Sequence, residues 1–215
     1  MTDVDSLKAD IFDEIDEDLK RDQMQLLWAR YGKIVMAAVA AIVLLVALRQ
    51  GYTAWQSSQI EASASTYQQA LQSDDVVAAL EGQLGQLSDG YAMLAKFKIA
   101  AEQAAINDFA AAEAGYLALA SDASIDPLYQ QAATLLSVMV APQDADVSAL
   151  VARLSDLETS NGPWQAMALE TGAGLALRNR NKDAALAKYK KLMEIAKVPA
   201  GMRQRAQRMI VILGG

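Results

Sequence analysis

The chain has 215 residues, 53% of them apolar, with only 12 Gly and 4 Pro and a formal net charge of −7. That composition favours helices over sheet and leaves room for one ordinary domain beside an anchor. Cys and His are both absent, which excludes disulfides, thiolate metal sites and thiol nucleophiles and removes the commonest general base and metal ligand. A chain without thiols suits an oxidising compartment. The charge is placed unevenly. Residues 1–33 carry nine acidic and five basic side chains, residues 57–160 fourteen and three, and residues 161–215 three and ten. Solvated helix faces of opposite sign, or a contact with an acidic surface, explain this more simply than nucleic-acid binding.

From residue 5 to 29, Leu7, Ile11, Ile15 and Leu19 recur every four positions, with Phe12 and Leu26 near the same stripe. The spacing predicts an amphipathic helix. Its remaining surface is acidic, unlike helices that lie on anionic lipid, so it either docks on a protein partner or stays a mobile tail. Next comes a run with no polar side chain: Ile34, Val35, Met36, Ala37, Ala38, Val39, Ala40, Ala41, Ile42, Val43, Leu44, Leu45, Val46, Ala47 and Leu48. As a helix it covers about 22 Å, short of a hydrocarbon core of roughly 30 Å. Lys33 and Arg49 close the gap by snorkelling, and Trp28, Tyr31, Tyr52 and Trp55 supply aromatic belts on both sides. The long acidic leader and the Leu48-Arg49-Gln50 that follows differ from a cleaved signal peptide. An uncleaved single-pass anchor is expected. Lys20, Arg21, Arg30 and Lys33 precede the run, and only Arg49 follows it before Lys96, which places the N-terminus in the cytoplasm and the rest across the membrane.

Residues 52–72 read as a Gln-, Ser- and Ala-rich helical stalk, broken at Ser73-Asp74-Asp75. A short helix, Val76–Leu87, is expected to end at a Ser88-Asp89-Gly90 turn. Pro127, Pro163 and Pro199 are then spaced thirty-six residues apart, and one step back falls on Tyr91. Pro suits the first turn of a helix, so each position marks a helix start. Small residues recur inside these helices at Ala100, Ser137 and Ala173. Second helices start near Asn107 and Asn181, where Ala112 and Tyr116 match Ala185 and Tyr189. In the middle copy, DADVSALVARLSDLE, Ala149 is kept but Arg153 falls where the ring should be. A thirty-six-residue period of helix pairs predicts an all-α fold: a single transmembrane helix followed by a helical solenoid.

The segments NDFAAAEAGYLALASDASIDP and NKDAALAKYKKLMEIAKVPAG resemble second-helix motifs of tetratricopeptide repeats. The closing Pro comes two or three residues late, and the family's first-helix Trp position falls on Lys96, Ala133 and Leu169, so the repeats are divergent. The layout as a whole is similar to the YfgM-like ancillary subunits of the SecYEG translocon: a charged leader with ARYGK, one span, a Trp- and Gln-rich stalk, loose repeats and the closing VPAGMRQRAQRMIVIL. That resemblance implies a periplasmic repeat domain on the cell inner membrane. It would work beside the translocon and a membrane-anchored prolyl isomerase chaperone. The organisation is then an acidic cytoplasmic leader helix at 1–30, a transmembrane helix at 31–55, a stalk and first helices at 56–88, and three divergent tetratricopeptide-like repeats with a capping helix at 89–215.

Chemistry finds little foothold. Asp74-Asp75 reads as a solvated turn, Gly172-x-Gly174 as close helix packing, and no His is present to activate a Ser. An enzyme, a cofactor, a metal site, a small-molecule substrate and nucleic acid are all not expected. The function is read as binding. Its alternatives are a repeat scaffold for envelope or division machinery and, less favoured, a carboxylate- or Ser-based enzyme. Among the rings Tyr91, Phe97, Tyr116, Trp164 and Tyr189, most should pack inward. Tyr91, Phe97 and Trp164, with the basic run that begins at Arg178, Arg180 and Lys182 and continues through Lys188, Lys190, Lys191 and Lys197, are the candidate partner contacts.

Overall fold

The structure, a computed structural model, describes the backbone of residues 3–214 and the side chains of residues 28–214. The acidic leader's side-chain stripe, from Leu7 to Leu26, lies outside the described side chains. Among the described residues the fold is all-α: α1 (Asp3–Leu71), α2 (Val76–Gln83), α3 (Asp89–Ala105), α4 (Phe109–Ser121), α5 (Pro127–Met139), α6 (Val147–Thr159), α7 (Gln165–Arg178), α8 (Lys182–Glu194) and α9 (Ala200–Ile212). The chain divides at Gln59/Ile60 into two compact units.

In the first unit, the large apolar side chains of the Ile34–Leu48 run are exposed. Leu45 is 67% exposed and Leu48 70%, against the near-complete burial expected of a core helix. At the flanks Trp28 covers Gly32, the Arg30 guanidinium lies 5.7 Å from the Tyr31 ring centroid, and Tyr52 and Trp55 stand 6.2 Å apart.

The second unit is built by side-chain caps and stacked cores. The carboxylates of Asp75, Asp108, Asp126 and Asp146 and the Asn181 amide oxygen each accept from a backbone N–H in the first turn of α2, α4, α5, α6 and α8, at 2.8–3.2 Å. Each such cap is worth about 1 kcal/mol. The periodic prolines play three different parts. Pro127 opens α5, Pro199 is the N-cap of α9, and Pro163 sits in the turn before α7, whose N-cap is Trp164. Gly90 lies inside the first turn of α3, where a turn was expected. Ser88, extended at ψ 157°, starts that helix, because Ser and Asp ahead of a Gly serve a helix N-terminus as well as a turn. The helix expected at Val76–Leu87 is shorter, ending at Gln83 and passing into a 3-10 turn at Leu84–Gln86.

Four apolar clusters follow one another along the unit, each joining three consecutive helices. Ala70, Leu80 and Ile99 tie the end of α1 to α2 and α3, and Ala100, Tyr116 and Ala133 tie α3 to α4 and α5. Leu135, Leu154 and Ala168 join α5, α6 and α7, and Ala173, Tyr189 and Ala206 join α7, α8 and α9. This is solenoid packing, in which each hairpin buries its face on its neighbours. The recurring small residues Ala100, Ser137 and Ala173 are fully buried.

The middle repeat corrects the sequence reading. Counted from their N-caps, α4 buries Ala112, Tyr116 and Leu119, and α8 buries Ala185, Tyr189 and Leu192, at the fourth, eighth and eleventh positions. The same positions in α6 are Leu150, Leu154 and Leu157. Leu154 therefore fills the ring's place, Ala149 is exposed, and Arg153 lies one residue off it. The N-caps Asp108, Asp146 and Asn181 stand 38 and 35 residues apart, so a near-even period sets the middle copy one residue early.

Candidate interaction surface

The register places Gly115, Arg153 and Lys188 at the same point of α4, α6 and α8, against the first helix of their own repeat. An added Cβ at Gly115 would lie 3.1 Å from the Ala100 Cβ, so here the helices touch almost backbone to backbone. In the next two repeats the position carries a cation bound to an acid from the repeat before. Arg153 Nη1 donates to Glu113 Oε1 at 2.8 Å and reaches the buried Ser137 Oγ at 3.4 Å. Lys188 pairs with Glu158, with side chains 17% and 12% exposed. Glu158 Oε1 is buried without a hydrogen-bond partner, and an added Cβ at Gly172 would overlap it. Gly172 is thus the gap that seats this ion pair, whereas Gly174, two residues on, is exposed with nothing nearby. A third inter-repeat pair is bidentate and more open: Arg205 donates to both oxygens of Glu170 at 2.8 and 2.9 Å.

The candidate rings are held by the core. Tyr91 packs on the α2–α3 cluster with Tyr67 at 5.8 Å, Phe97 stacks tilted on Tyr116 at 6.0 Å, and Trp164 donates its Nε1–H to the Leu128 carbonyl at 3.0 Å. All three are half-buried. Burial pushes the Tyr116 hydroxyl above the usual phenol range. It does the same at Tyr189, where the nearby Glu170 carboxylate adds to it and Arg205 opposes it. Among the described residues of the second unit the rings left open are Tyr129 and Phe109, with Leu128 next to Tyr129 and Ile106 three residues before Phe109. Their exposure carries no sequence signal, since their spacing is as helical as that of their buried neighbours.

The basic run does not form a single patch. Arg178 Nη2 donates to the Gln143 carbonyl and to the Ala145 carbonyl at 2.8 Å, clamping the α5–α6 connection to the end of α7. Lys188 is taken up by Glu158, while Arg180 and Lys182 remain exposed. Arg180 is also conformationally special. Its φ of 57° matches the 66° of Asn107, and both residues close a first helix in the same way. The following residue, Asn181 or Asp108, donates its N–H five residues back to Ala176 or Gln103, at 2.8 Å in both turns. This is a Schellman-type ending, repeated in the first and third repeats.

Two clefts flank the third repeat. One, of about 800 Å³, lies where α6 and α8 end and α7 begins, with Leu169 and Ala166 at its floor and Lys191, Lys197 and Glu194 among its polar walls. The other, of about 360 Å³, lies between the starts of α6 and α8 and includes Val151, Asn181 and Lys188. No group of three or more metal-ligating side chains occurs among the described residues.

A stack of paired helices with small-residue contacts, inter-repeat ion pairs and open clefts between hairpins defines a helical-repeat interaction module. The chain belongs to the tetratricopeptide repeat-like domain family, whose model matches residues 26–206. The match takes in the apolar run as well as the repeats, and this architecture is that of a protein–protein interaction scaffold. No curated protein and no solved structure matches the chain.

Proposed function

We propose that this protein is a single-pass inner-membrane scaffold whose repeat unit lies in the periplasm and holds other proteins beside the Sec translocon, assisting a membrane-anchored prolyl isomerase chaperone. The observation that carries the membrane part is the exposure of the Ile34–Leu48 run in a helix long and apolar enough to span. Such a surface is stable only in lipid or against a partner as apolar as lipid. Orientation rests on Lys20, Arg21, Arg30 and Lys33 ahead of the run. The translocon and the chaperone rest on the whole-chain resemblance described above. The span would raise the local concentration of the repeat unit at the export site, so modest affinity in the clefts would suffice. The division into leader, span, stalk and repeats, and the contact roles of Tyr91, Phe97, Trp164, Arg178, Arg180 and Lys182, belong to this proposal.

A reporter active only outside the cytoplasm, fused after Gly215, should be active. A silent, stably expressed fusion would refute the orientation. Pull-down under mild detergent then separates the partners. Recovery of translocon and prolyl isomerase subunits supports the proposal, and recovery of wall synthases or division proteins instead would move the scaffold to envelope assembly.

A further inference from the structure

One face of α9 is left uncovered at the end of the repeat stack. Met202 and Ala206 are buried in the last cluster, but Val211 and Ile212 are 71% and 73% exposed. With Arg208 they line a shallow apolar cleft of about 370 Å³ that contains no acidic side chain. Arg205 on the same helix is engaged by Glu170, whereas Arg208 has no ion-pair partner among the described residues. The face therefore offers an apolar centre with one uncommitted cation at its edge.

The first helices of the same unit carry the complement. Ile106, at the end of α3, is 71% exposed at a cleft of about 620 Å³ whose walls include Asp74, Asp75 and Asp108 and no basic side chain. Asp75 and Asp108 each cap a helix with one oxygen, and both remain exposed to solvent. The contrast extends beyond the two clefts, since residues 57–160 carry fourteen acidic and three basic side chains and residues 161–215 three and ten. Two α9 faces brought together would set Arg208 against Arg208. Arg208 is the one basic side chain lining the α9 cleft, well short of the basic clusters that hold anionic lipid.

We propose that the α9 face of one copy of this chain docks into the acidic cleft beside Ile106 of a second copy, with Val211 and Ile212 on Ile106 and Arg208 among Asp74, Asp75 and Asp108. The contact is heterologous, head to tail, so it can extend beyond two copies. It is independent of the translocon reading.

The absence of Cys makes the test direct. Full-length Ile106→Cys and Val211→Cys variants, one enlarged by a tag, are mixed in mild detergent and oxidised gently. The mixed disulfide dimer should exceed the dimers of either variant alone. It should fall about fivefold or more with Arg208→Glu or in about 0.5 M NaCl, where exposed charges are screened. Circular dichroism checks that each variant is folded, and Gln103→Cys with Gln207→Cys reads the same contact should Ile106→Cys disturb α3. Mixed dimers no more abundant than single-variant dimers would overturn the proposal. So would dominant Val211→Cys self-dimers, which mean an end-to-end contact, or yields indifferent to both salt and Arg208→Glu.

Discussion

Gly172 and Gly174 lie two residues apart in α7, and Ala substitution should move stability in opposite directions at the two sites. At Gly174 nothing stands within 4 Å of the new methyl, so the change gains only helix propensity, about 1 kcal/mol. At Gly172 the methyl would overlap Glu158 Oε1 and lie 3.2 Å from both Glu158 Cδ and Lys188 Nζ. The carboxylate must leave its seat and give up a charge-assisted bond worth about 1.5–3 kcal/mol. Set against the same propensity gain, the net is a destabilisation of about 0.5–2 kcal/mol. For a unit of this size 1 kcal/mol moves Tm by about 2–4 °C, so thermal melting followed by circular dichroism resolves both changes. The decisive arm removes the acid. In a Glu158→Ala background the overlap is gone, and Gly172→Ala should become stabilising, like Gly174→Ala. If Gly172→Ala stabilises the unaltered chain as much as Gly174→Ala does, Glu158 is not seated on Gly172 and the reading of that ion pair is wrong.

Three further expectations rest on single features. Arg180→Gly should stabilise by about 1 kcal/mol in a melt, because φ of 57° costs a side chain what glycine does not pay, whereas Asn107→Ala should destabilise. Arg153→Met should lower stability by about 1–3 kcal/mol by leaving Glu113 partly buried without its partner, and Glu113→Gln in the same chain should recover part of that loss. The buried Tyr116 and Tyr189 hydroxyls hold their protons more tightly when folded than when unfolded. The unfolded chain therefore loses protons first, and stability should be flat to about pH 9 and fall as pH rises through about 10. Two tyrosines in an absorbance titration should ionise late, and Tyr116→Phe should remove one of them.

The sequence alone determined the features that depend on local chemistry. The Ile34–Leu48 run needs only composition to be recognised, because fifteen apolar side chains in a row leave no polar face to turn toward water. The helix starts at Asp75, Asp108, Asp126, Asp146 and Asn181 follow from short side chains that reach their own backbone, and the opening of α5 at Pro127 follows from a fixed φ. Tertiary structure decided what depends on a neighbour. Position counted from the N-cap, and not distance along the chain, put Leu154 in the ring's place and gave Arg153 to Glu113. Gly172 and Gly174 look alike in the sequence, yet only one lies under an ion pair contributed by two other helices. The basic run is continuous in the sequence, but Arg178 is tied to the Ala145 carbonyl and Lys188 to Glu158, while Arg180 and Lys182 are exposed. Charge and periodicity are properties of the chain, whereas which face meets which is fixed only when the hairpins stack and bury their apolar sides.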